Sequence, residues 1–374
     1  MFGKLLKKGD RYTPSCYVTC PNTANQNIAV ALRRLNAKLG KDIEITGIND
    51  RDNRKCYFTG AEMMLFSIDR LDLSSLAAYE YLFKLTVKGG GGSGASDVLL
   101  QYLRRMFNDS PIIIPIEIIT ENPSIRAQLI SALSIYVNLK LRGKDPIWLF
   151  SNSELMKGGR KSYSSANEEI ANLIWCLAHA HNDESSDFDL SAVSQGAFTG
   201  GYCEINLQRT AVETERNVVM TARRLLGKPW IDSRDILWNG DKLELSTRES
   251  VVVCLVPNGI NLRSLGIDLE ELENNAIYAD YPYPTKIKDS RRIPIHISSY
   301  PGKTIKIIAM TKISENTLER ALKLHEAFLK RVHDAAATKK ELNDIEKVYL
   351  DMYREEYRKN PKGGEYPWET IFEL

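Results

Sequence analysis

Residues 88–96, KGGGGSGAS, decide the fold because they connect a strand to a helix. YEYLFKLTV at 79–87 predicts a β-strand, and residues 97–107 carry apolar side chains at helical spacing. The run has the composition of a flexible linker, but a linker joins domains and this one would split a β-α unit. Glycines at such a turn let a ligand approach the backbone, and the N–H groups at a helix start attract anions. The run therefore predicts a phosphate-binding turn, with a linker as the alternative, and Ser96 or Asp97 is expected to cap the helix.

Strand-like and helix-like segments alternate through the first two-thirds of the chain, which predicts a parallel sheet covered by helices. The other expected strands are 16–19, 42–48, 112–119 and 147–150, and the other expected helices are 27–39, 124–139 and 164–181. A second, smaller domain with a mixed sheet is predicted from strands at 204–208, 250–256, 293–298 and 304–310, with helices at 212–226 and 269–276. From residue 315 to about residue 359 the chain is predicted to be helical.

The composition excludes several classes of protein. The 374 residues include 50 Lys and Arg against 48 Asp and Glu, so the chain lacks the basic excess of a dedicated nucleic-acid binder. A hydrophobic content of 43% argues against disorder, and the longest apolar runs, 111–119 and 251–257, are too short to span a bilayer. The six cysteines form no CxxC pair, which is typical of reduced, intracellular thiols. We expect a cytoplasmic protein that binds neither a membrane nor nucleic acid directly.

The glycine run is not followed by GK[ST], so it is not a Walker phosphate loop. The segment GGGSGAS at 90–96 resembles the GGGTGTG signature of the tubulin/FtsZ superfamily. That resemblance implies GTP or GDP as the ligand. The phosphate contacts that it implies come from Gly90, Gly91, Gly92, Ser93 and Gly94.

Two later segments are similar to the same superfamily, in the same order along the chain. IIIPIEIITENPSIR at 112–126 is similar to a strand whose following loop carries a ribose-contacting acid and then an arginine. The resemblance implies these roles for Glu121 and Arg126, although their spacing is one residue longer than usual. GRKSYSSANEEIANLI at 159–174 resembles the start of the central helix, closest to the phage tubulins (PhuZ-like) and next to TubZ.

The guanine contacts implied by the resemblance lie on two helices. Tyr163 is expected to stack on the base, and Asn167, one helical turn later, to hydrogen-bond to its edge. Asn27 matches the asparagine that opens the first helix and also contacts guanine. Two asparagine amides offer the donors and acceptors that a guanine edge requires.

The first loop departs from the pattern of the superfamily. TCPNTANQN at 19–27 contains no glycine, where the superfamily has a glycine-rich loop. We expect the side chains of Thr23, Asn25 and Gln26 to replace backbone contacts to phosphate. The alternative is a loop that binds nucleotide less well.

A loop after the central helix is implied to carry the catalytic acids. DESSDFDLSAV at 183–193 resembles the loop that reaches the nucleotide of the next subunit. Asp189 falls on the first acidic position and Ala192 on the second, where Asp187 is a substitute after a small loop shift. A carboxylate there would orient or deprotonate the attacking water. The alternative is a solvated acidic loop without a catalytic role. Magnesium (Mg2+) is expected to be held mainly by phosphates and water.

The resemblance predicts an α/β protein with a tubulin-like GTPase domain containing a parallel sheet, a long central helix, a smaller mixed α/β domain, and a C-terminal helix with a tail. The expected bounds are 1–160 for the GTP-binding domain, 161–185 for the central helix, 186–313 for the second domain with the catalytic loop, and 314–374 for the C-terminal helices and tail.

The implied function is head-to-tail polymerisation into a cytoskeletal filament that hydrolyses GTP between subunits. Its expected use is phage DNA positioning in the host cytoplasm or plasmid segregation, with an adaptor to the DNA cargo. One alternative is a tubulin-like structural protein that binds nucleotide weakly or not at all. Another is an unrelated α/β enzyme whose glycine turn holds a different phosphorylated ligand.

The C-terminal segment carries an apolar stripe at helical spacing. The stripe consists of Leu342, Ile345, Tyr349, Met352, Tyr353 and Tyr357. It is predicted to pack against the body of the protein, with a contact to a neighbouring subunit as the alternative. In the tail, Trp368, Ile371 and Phe372 are spaced among glutamates and are expected to dock on a neighbouring subunit.

Overall fold

The computed structural model describes residues 16–19, 23–46, 57–107, 111–119, 124–141, 147–151, 162–190, 201–208, 245–260, 295–313, 315–338 and 340–359. The strands are β1 (Cys16–Thr19), β2 (Ile43–Thr46), β3 (Tyr81–Val87), β4 (Ile112–Ile119), β5 (Trp148–Ser151), β6 (Gly201–Gln208), β7 (Leu245–Pro257), β8 (Ile295–Tyr300) and β9 (Ile305–Ile313). The α-helices are α1 (Thr23–Leu39), α2 (Tyr57–Ser67), α3 (Gly91–Met106), α4 (Ile125–Leu141), α5 (Tyr163–Asn182), α6 (Glu315–Thr338) and α7 (Asp344–Lys359).

The described strands form one sheet in the order β2-β1-β3-β4-β5-β6-β9-β7-β8. Strands β1 to β5 are parallel, as their alternation with helices predicted. β9 runs antiparallel to β6 and β7, and β7 runs parallel to β8, so the predicted mixed part is confirmed. It is not a separate sheet, because Trp148 of β5 pairs with Gly201 of β6. The domain bounds remain a prediction.

Alternating side chains on the central strands divide the core between the two faces of the sheet. Phe83 and Leu85 of β3 pack on the face covered by α1 and α5. Leu82, between them, packs on the face covered by α2, α3 and α4, where residues of α6 and α7 also pack. Both faces of β3 and β4 are buried, which explains their nearly continuous apolar sequences.

The long helix α5 lies beside α1, and the two run in the same direction. Two bonds join the last turns of α5 to the connection after α1: Trp175 Nε1 donates to the Gly40 carbonyl at 3.2 Å and Asn182 Nδ2 to the Asp42 carbonyl at 3.0 Å. At the other end, the Ser162 side chain caps α5 by accepting a hydrogen bond from the Ser165 N–H at 3.3 Å. Both helices therefore begin at the edge of the sheet where β1 ends.

Two helices differ from the predictions. α3 begins at Gly91, six residues before the predicted start, so Ser96 and Asp97 lie inside the helix and cap nothing. The prediction failed because glycine has poor helix propensity, whereas here the small residues pack α3 closely against α2. α2 was not predicted, because YFTGAEMMLFS is apolar on nearly all sides and has no helical period.

The predicted C-terminal helix is two helices, α6 and α7, separated by residues 339–343. A capping box starts α7: the Asn343 N–H donates to Glu346 Oε2, and the Glu346 N–H donates to Asn343 Oδ1, both at 2.9 Å. Tyr349 and Met352 are buried against the body of the protein, which confirms the predicted packing of the stripe. The side chains of Tyr353 and Tyr357 lie outside the described residues.

Three other predictions also lie outside the described residues. They are the helices at 212–226 and 269–276 and the tail at 360–374.

Candidate functional site

The glycine run forms a tight turn that leads directly into the first turn of α3. Gly89 has φ +118°, a conformation that L side chains rarely adopt, and Gly90 is extended. The Ser93 side chain closes the turn by accepting a hydrogen bond from the Gly89 N–H at 3.2 Å, and the Ser93 N–H donates to the Gly90 carbonyl at 2.9 Å. The N–H groups of a first helical turn have no acceptor within their own helix, so such a turn suits an anion.

Glycine is required at different positions of the run for different structural reasons. A Cβ at Gly94 would lie 2.0 Å from the carbonyl oxygen of Tyr57, so Gly94 is required by the close packing of α2 on α3. A Cβ at Gly90 would have no heavy atom of the described residues within 4 Å. Among the described residues, the space at Gly90 is therefore open, as expected for a position that a ligand approaches.

The predicted ligand contacts within the described residues share one edge of the sheet. α1, α3 and α4 each begin where the preceding parallel strand ends, and α5 begins at the same edge. This edge carries the glycine turn and the starts of four helices, which include Thr23 and Asn27 on α1, Arg126 on α4, and Tyr163 and Asn167 on α5. Ligands of open α/β sheets bind at such carboxyl edges. Glu121 lies outside the described residues.

The predicted base contacts and Arg126 remain at least partly accessible on this edge. Tyr163 is 55% exposed and Asn27 is exposed, while Asn167 and Arg126 are half-buried. Because Tyr163 and Asn167 are one turn apart on α5, they lie on the same side of the helix. The roles of these four residues remain predictions.

Asn25 has a structural role that differs from the predicted one. It is fully buried, its Nδ2 donates to the Leu85 carbonyl at 2.8 Å, and its Oδ1 accepts from the Val87 N–H at 3.0 Å. The amide therefore holds the start of α1 against the end of β3, and the expectation that it replaces a phosphate contact is wrong. Gln26 is half-buried, and the side chain of Thr23 lies outside the described residues.

Four charged side chains are buried directly beneath the glycine turn. Lys84, Asp97 and Glu117 are 0% exposed and Lys88 is 2% exposed. Lys84 Nζ lies 3.1 Å from Glu117 Oε1, and Lys88 pairs with both Glu117 and Asp97. Two cations and two anions balance, which is the condition under which charges tolerate burial.

Asp97 is the hub that connects this cluster to the helices. Its carboxylate accepts hydrogen bonds from Tyr57 at 2.8 Å, Ser134 at 2.6 Å, Asn138 at 3.0 Å and Lys88 at 3.3 Å. The residue that the sequence suggested as a helix cap therefore ties α2, α3 and α4 to the strand that leads into the turn.

Burial and pairing act in opposite directions on the acids and bases of the cluster. Burial alone would raise the pKa of Glu117, but the ammonium groups of Lys84 and Lys88 outweigh it and hold this pKa below its usual value. Burial lowers the pKa of Lys84. Burial and the Asp97 carboxylate raise the pKa of Tyr57 well above its usual value.

The sequence held a signal for this cluster. Lys84 and Lys88 are four residues apart at the end of an apolar strand, so they share a face, and Thr86 between them pairs with Glu117 on β4.

The two predicted catalytic acids lie at the opposite edge of the sheet. Asp189 Oδ1 accepts a hydrogen bond at 3.1 Å from the hydroxyl of Tyr81, the first residue of β3. Asp187 Oδ1 lies 3.0 Å from Nδ1 of His296. Phe188, between the acids, is 3% exposed, whereas the side chains of Asp187 and Asp189 are 65% and 55% exposed. The inward aromatic residue thus leaves both acids at the surface.

This placement separates the acids from the glycine turn of the same chain. β3 runs from Tyr81 to Val87, so Asp189 and the turn are about 20 Å apart along the strand. One molecule therefore cannot bring both groups to a single ligand. Ala192 lies outside the described residues.

The described residues contain no group of three or more His, Cys, Asp or Glu side chains that could hold a metal ion. Within the same residues, no helix is long and apolar enough to cross a membrane. Magnesium held by phosphates and water remains a prediction.

The parallel sheet, the glycine turn at its carboxyl edge and the long helix α5 together define the tubulin/FtsZ fold, and comparison with solved structures shows that this chain has it. CetZ2 from Haloferax volcanii, solved as a GTPγS-bound protofilament, is 14% identical, with a TM-score of 0.60 over 83% of this chain and 98% of that chain. A GTPγS-form protofilament of TubZ from Bacillus thuringiensis serovar israelensis is 8% identical, with a TM-score of 0.56 over 87% and 94%. An empty dimer of FtsZ from M. jannaschii is 12% identical, with a TM-score of 0.53 over 80% and 88%.

At these identities the likeness shows the fold alone. No protein-family model matches the sequence, and no curated protein matches it. Closeness to the phage tubulins remains a prediction.

Proposed function

We propose that this chain binds GTP at the carboxyl edge of its sheet, polymerises head to tail and hydrolyses GTP between subunits. The observation that carries the proposal is the separation of the glycine turn from Asp189 along β3, which lie at opposite edges of one molecule. A head-to-tail contact brings the acidic edge of one subunit to the glycine turn of the next. Such a contact is heterologous and does not close on itself, so it produces a filament.

The glycine turn would hold the phosphates. Its open space at Gly90 and the first-turn N–H groups of α3 fit an anion, and the buried cluster fixes the turn from behind. Tyr163 would recognise the guanine base by stacking, and Asn27 and Asn167 would recognise it through amide hydrogen bonds. Arg126, at the start of α4, would face the sugar and phosphates, and Glu121 keeps its predicted ribose contact.

Hydrolysis would use the acids of the adjacent subunit. The oxygen of a water molecule bonds to the γ-phosphorus as the bond between that phosphorus and the β–γ bridging oxygen breaks. GDP leaves with the electron pair, and the water proton passes to the carboxylate of Asp189 and then to solvent. Asp187, on the same loop, is the second candidate for this proton. Magnesium would neutralise the phosphate charge when bound.

Two of the solved neighbours support the proposal through their own states. CetZ2 and TubZ are both described as protofilaments with GTPγS. A use in phage DNA positioning or plasmid segregation, with a DNA-cargo adaptor and a docking tail, extends the proposal from the resemblance of the sequence.

The second candidate function is a structural protein of the same fold that binds nucleotide weakly and does not hydrolyse it. It is favoured by the first loop, where glycine is absent and the Asn25 amide is bonded to β3.

Sedimentation at several protein concentrations, with phosphate release followed in parallel, separates the two candidates. The samples contain GTP, a non-hydrolysable GTP analogue, ATP or no nucleotide. Pelleting only with guanine nucleotides, and phosphate release only above the polymerisation threshold, is expected. Pelleting without nucleotide, or with GTP but without phosphate release, would favour the structural candidate. Guanine specificity also excludes an enzyme for another phosphorylated ligand, and Asn167→Ala should reduce the preference for guanine over adenine.

A further inference from the structure

Glu80 and Asp189 flank one histidine at the acidic edge, which is the edge of the sheet where β3 starts, although 109 positions separate the two acids in the sequence. Both carboxylates approach the ring of His181, which belongs to the last turn of α5. His181 Nδ1 lies 3.4 Å from Asp189 Oδ1, and His181 Nε2 lies 3.5 Å from Glu80 Oε2. One buried imidazole therefore has a carboxylate on each side.

The histidine is buried, whereas the two acids that flank it are exposed at the surface. The side chain of His181 is 3% exposed, whereas those of Glu80 and Asp189 are 45% and 55% exposed. The rings of Tyr81 and His181 pack edge to face with 4.8 Å between centroids, and the Tyr81 hydroxyl donates to Asp189. The imidazole is held in place from below while both acids reach the surface.

The backbone fixes the orientation of the imidazole. The Leu190 N–H donates to His181 Nδ1 at 3.4 Å, so in the neutral ring the proton lies on Nε2 and faces Glu80. Within the described residues, His181 Nε2 has no hydrogen-bond partner. The ring therefore lies in a fixed position between the two carboxylates.

We propose that Glu80 is the second catalytic acid of the interfacial site, acting with Asp189 on the water that attacks the nucleotide of the adjacent subunit. The inference rests on the proposed function. It also accounts for Ala192 at the second acidic position of the loop, because the missing carboxylate is supplied from the start of β3 instead. The Glu80 carbonyl accepts a hydrogen bond from the Ile112 N–H at 2.9 Å, so the strand edge positions this residue firmly.

The reaction releases one proton, which one of the two acids accepts. The water oxygen bonds to the γ-phosphorus, the bond to the bridging oxygen breaks, and GDP leaves with that electron pair. The proton released by the water is taken by one carboxylate of the Glu80 and Asp189 pair and returns to solvent with the departing phosphate.

Glu80→Gln in the full-length chain tests the proposal, because it keeps the shape of the side chain and removes its negative charge. Filaments are formed with the non-hydrolysable GTP analogue to measure assembly, and with GTP to measure phosphate release per pelleted subunit. We expect assembly like that of the wild type and a fall in turnover of about tenfold or more. Glu80→Asp should recover part of the lost turnover.

Glu319→Gln is the matched control, since Glu319 is an exposed glutamate on α6, outside the 183–193 loop. It should hydrolyse GTP at the wild-type rate. If Glu80→Gln turns over like Glu319→Gln while the wild type hydrolyses GTP in filaments, the role of Glu80 is wrong and the proposed function stands. If the wild type shows no guanine-dependent assembly, the proposed function itself fails. A loss of assembly by Glu80→Gln would assign the residue to subunit contact instead of catalysis.

Discussion

His179 and Asp42 form a hydrogen-bonded pair that joins the end of α5 to the start of β2. His179 Nδ1 lies 2.9 Å from Asp42 Oδ2, and His179 Nε2 lies 2.8 Å from the Ser299 carbonyl on β8. A carboxylate and a carbonyl both accept, so both bonds form at once only when the imidazole is doubly protonated. His179 also stacks on Trp175 with 4.8 Å between ring centroids. The charged ring therefore connects both parts of the sheet to the central helix.

The free energy of unfolding should fall at alkaline pH because His179 loses the proton that bridges it to Asp42 and Ser299. Burial alone would lower the pKa of His179, but the bonds to Asp42 and Ser299 outweigh it and raise the pKa above its usual value of 6.5. The folded state thus binds the proton more tightly than the unfolded state. The contribution is complete below pH 6.5 and is lost as the pH rises through the folded-state pKa. Urea unfolding should show a larger destabilisation by His179→Gln at pH 6 than at pH 9, and an equal loss at both would contradict the charged bridge.

His325 on α6 should produce the opposite pH dependence. It is buried and stacked on Tyr136 with 4.5 Å between ring centroids, and burial lowers its pKa to about 4. The unfolded state binds the proton first, so stability is complete above pH 6.5 and falls as the pH drops toward 4. Over that range the loss approaches about 3 kcal/mol.

His325→Phe retains an aromatic ring at this position and removes the titration. Its unfolding free energy should change less between pH 7 and pH 4.5 than that of the wild type. If the unfolding free energies of the two proteins fell in parallel with pH, His325 would not be the cause of the loss of stability in acid.

The fold was predictable to the extent that local patterns determine it. The mostly apolar segment 79–87 and the β-branched run in β4 predicted the central strands, and the glycine run after 79–87 predicted the position of the turn. The start of α3 was wrong because helix propensity disfavours Gly91–Gly94, while tertiary packing against Tyr57 favours them.

The placement of predicted contacts on one side of a helix was predictable, whereas the buried cluster beneath the glycine turn was not. Motif spacing placed Tyr163 and Asn167 on one side of a helix, which the structure keeps. Asp97 was taken for a cap because its partners on α2 and α4 are 37 to 41 positions away. Glu80 was missed for the same reason, since only the folded chain places Glu80 and Asp189 on either side of His181.

Two alanine substitutions in the glycine run should separate packing from ligand binding. Gly94→Ala would place a Cβ 2.0 Å from the Tyr57 carbonyl, so it should lower the free energy of unfolding by about 2 kcal/mol or more. Gly90→Ala meets no described atom within 4 Å and keeps an allowed extended backbone, so it should fold like the wild type. Gly90→Ala should instead bind GTP more weakly than the wild type, which titration calorimetry would measure. Equal stability of the two variants would contradict the packing role of Gly94.

Removing either lysine of the buried cluster should lower the free energy of unfolding, and the loss should be larger for Lys88 than for Lys84. Lys88→Met leaves both Glu117 and Asp97 without one of their cations, whereas Lys84→Met leaves Glu117 paired with Lys88. A buried charge without its partner costs about 3 to 5 kcal/mol. We expect urea unfolding to rank Lys88→Met below Lys84→Met in stability. The reverse order would show that the cluster is centred on Lys84.

Mixing two inactive variants should restore hydrolysis if the site is shared between subunits. Asp189→Asn keeps the glycine turn and loses an acid, whereas Gly90→Gln fills the open space at the turn and keeps the acidic edge. Alone, the first should assemble with GTP without releasing phosphate, and the second should not bind nucleotide. In a mixture, the acidic edge of a Gly90→Gln subunit meets the nucleotide of an Asp189→Asn subunit, so phosphate release should return in proportion to the mixed contacts. Recovery would fail if the acid and the nucleotide acted within one chain, which the distance of about 20 Å along β3 argues against.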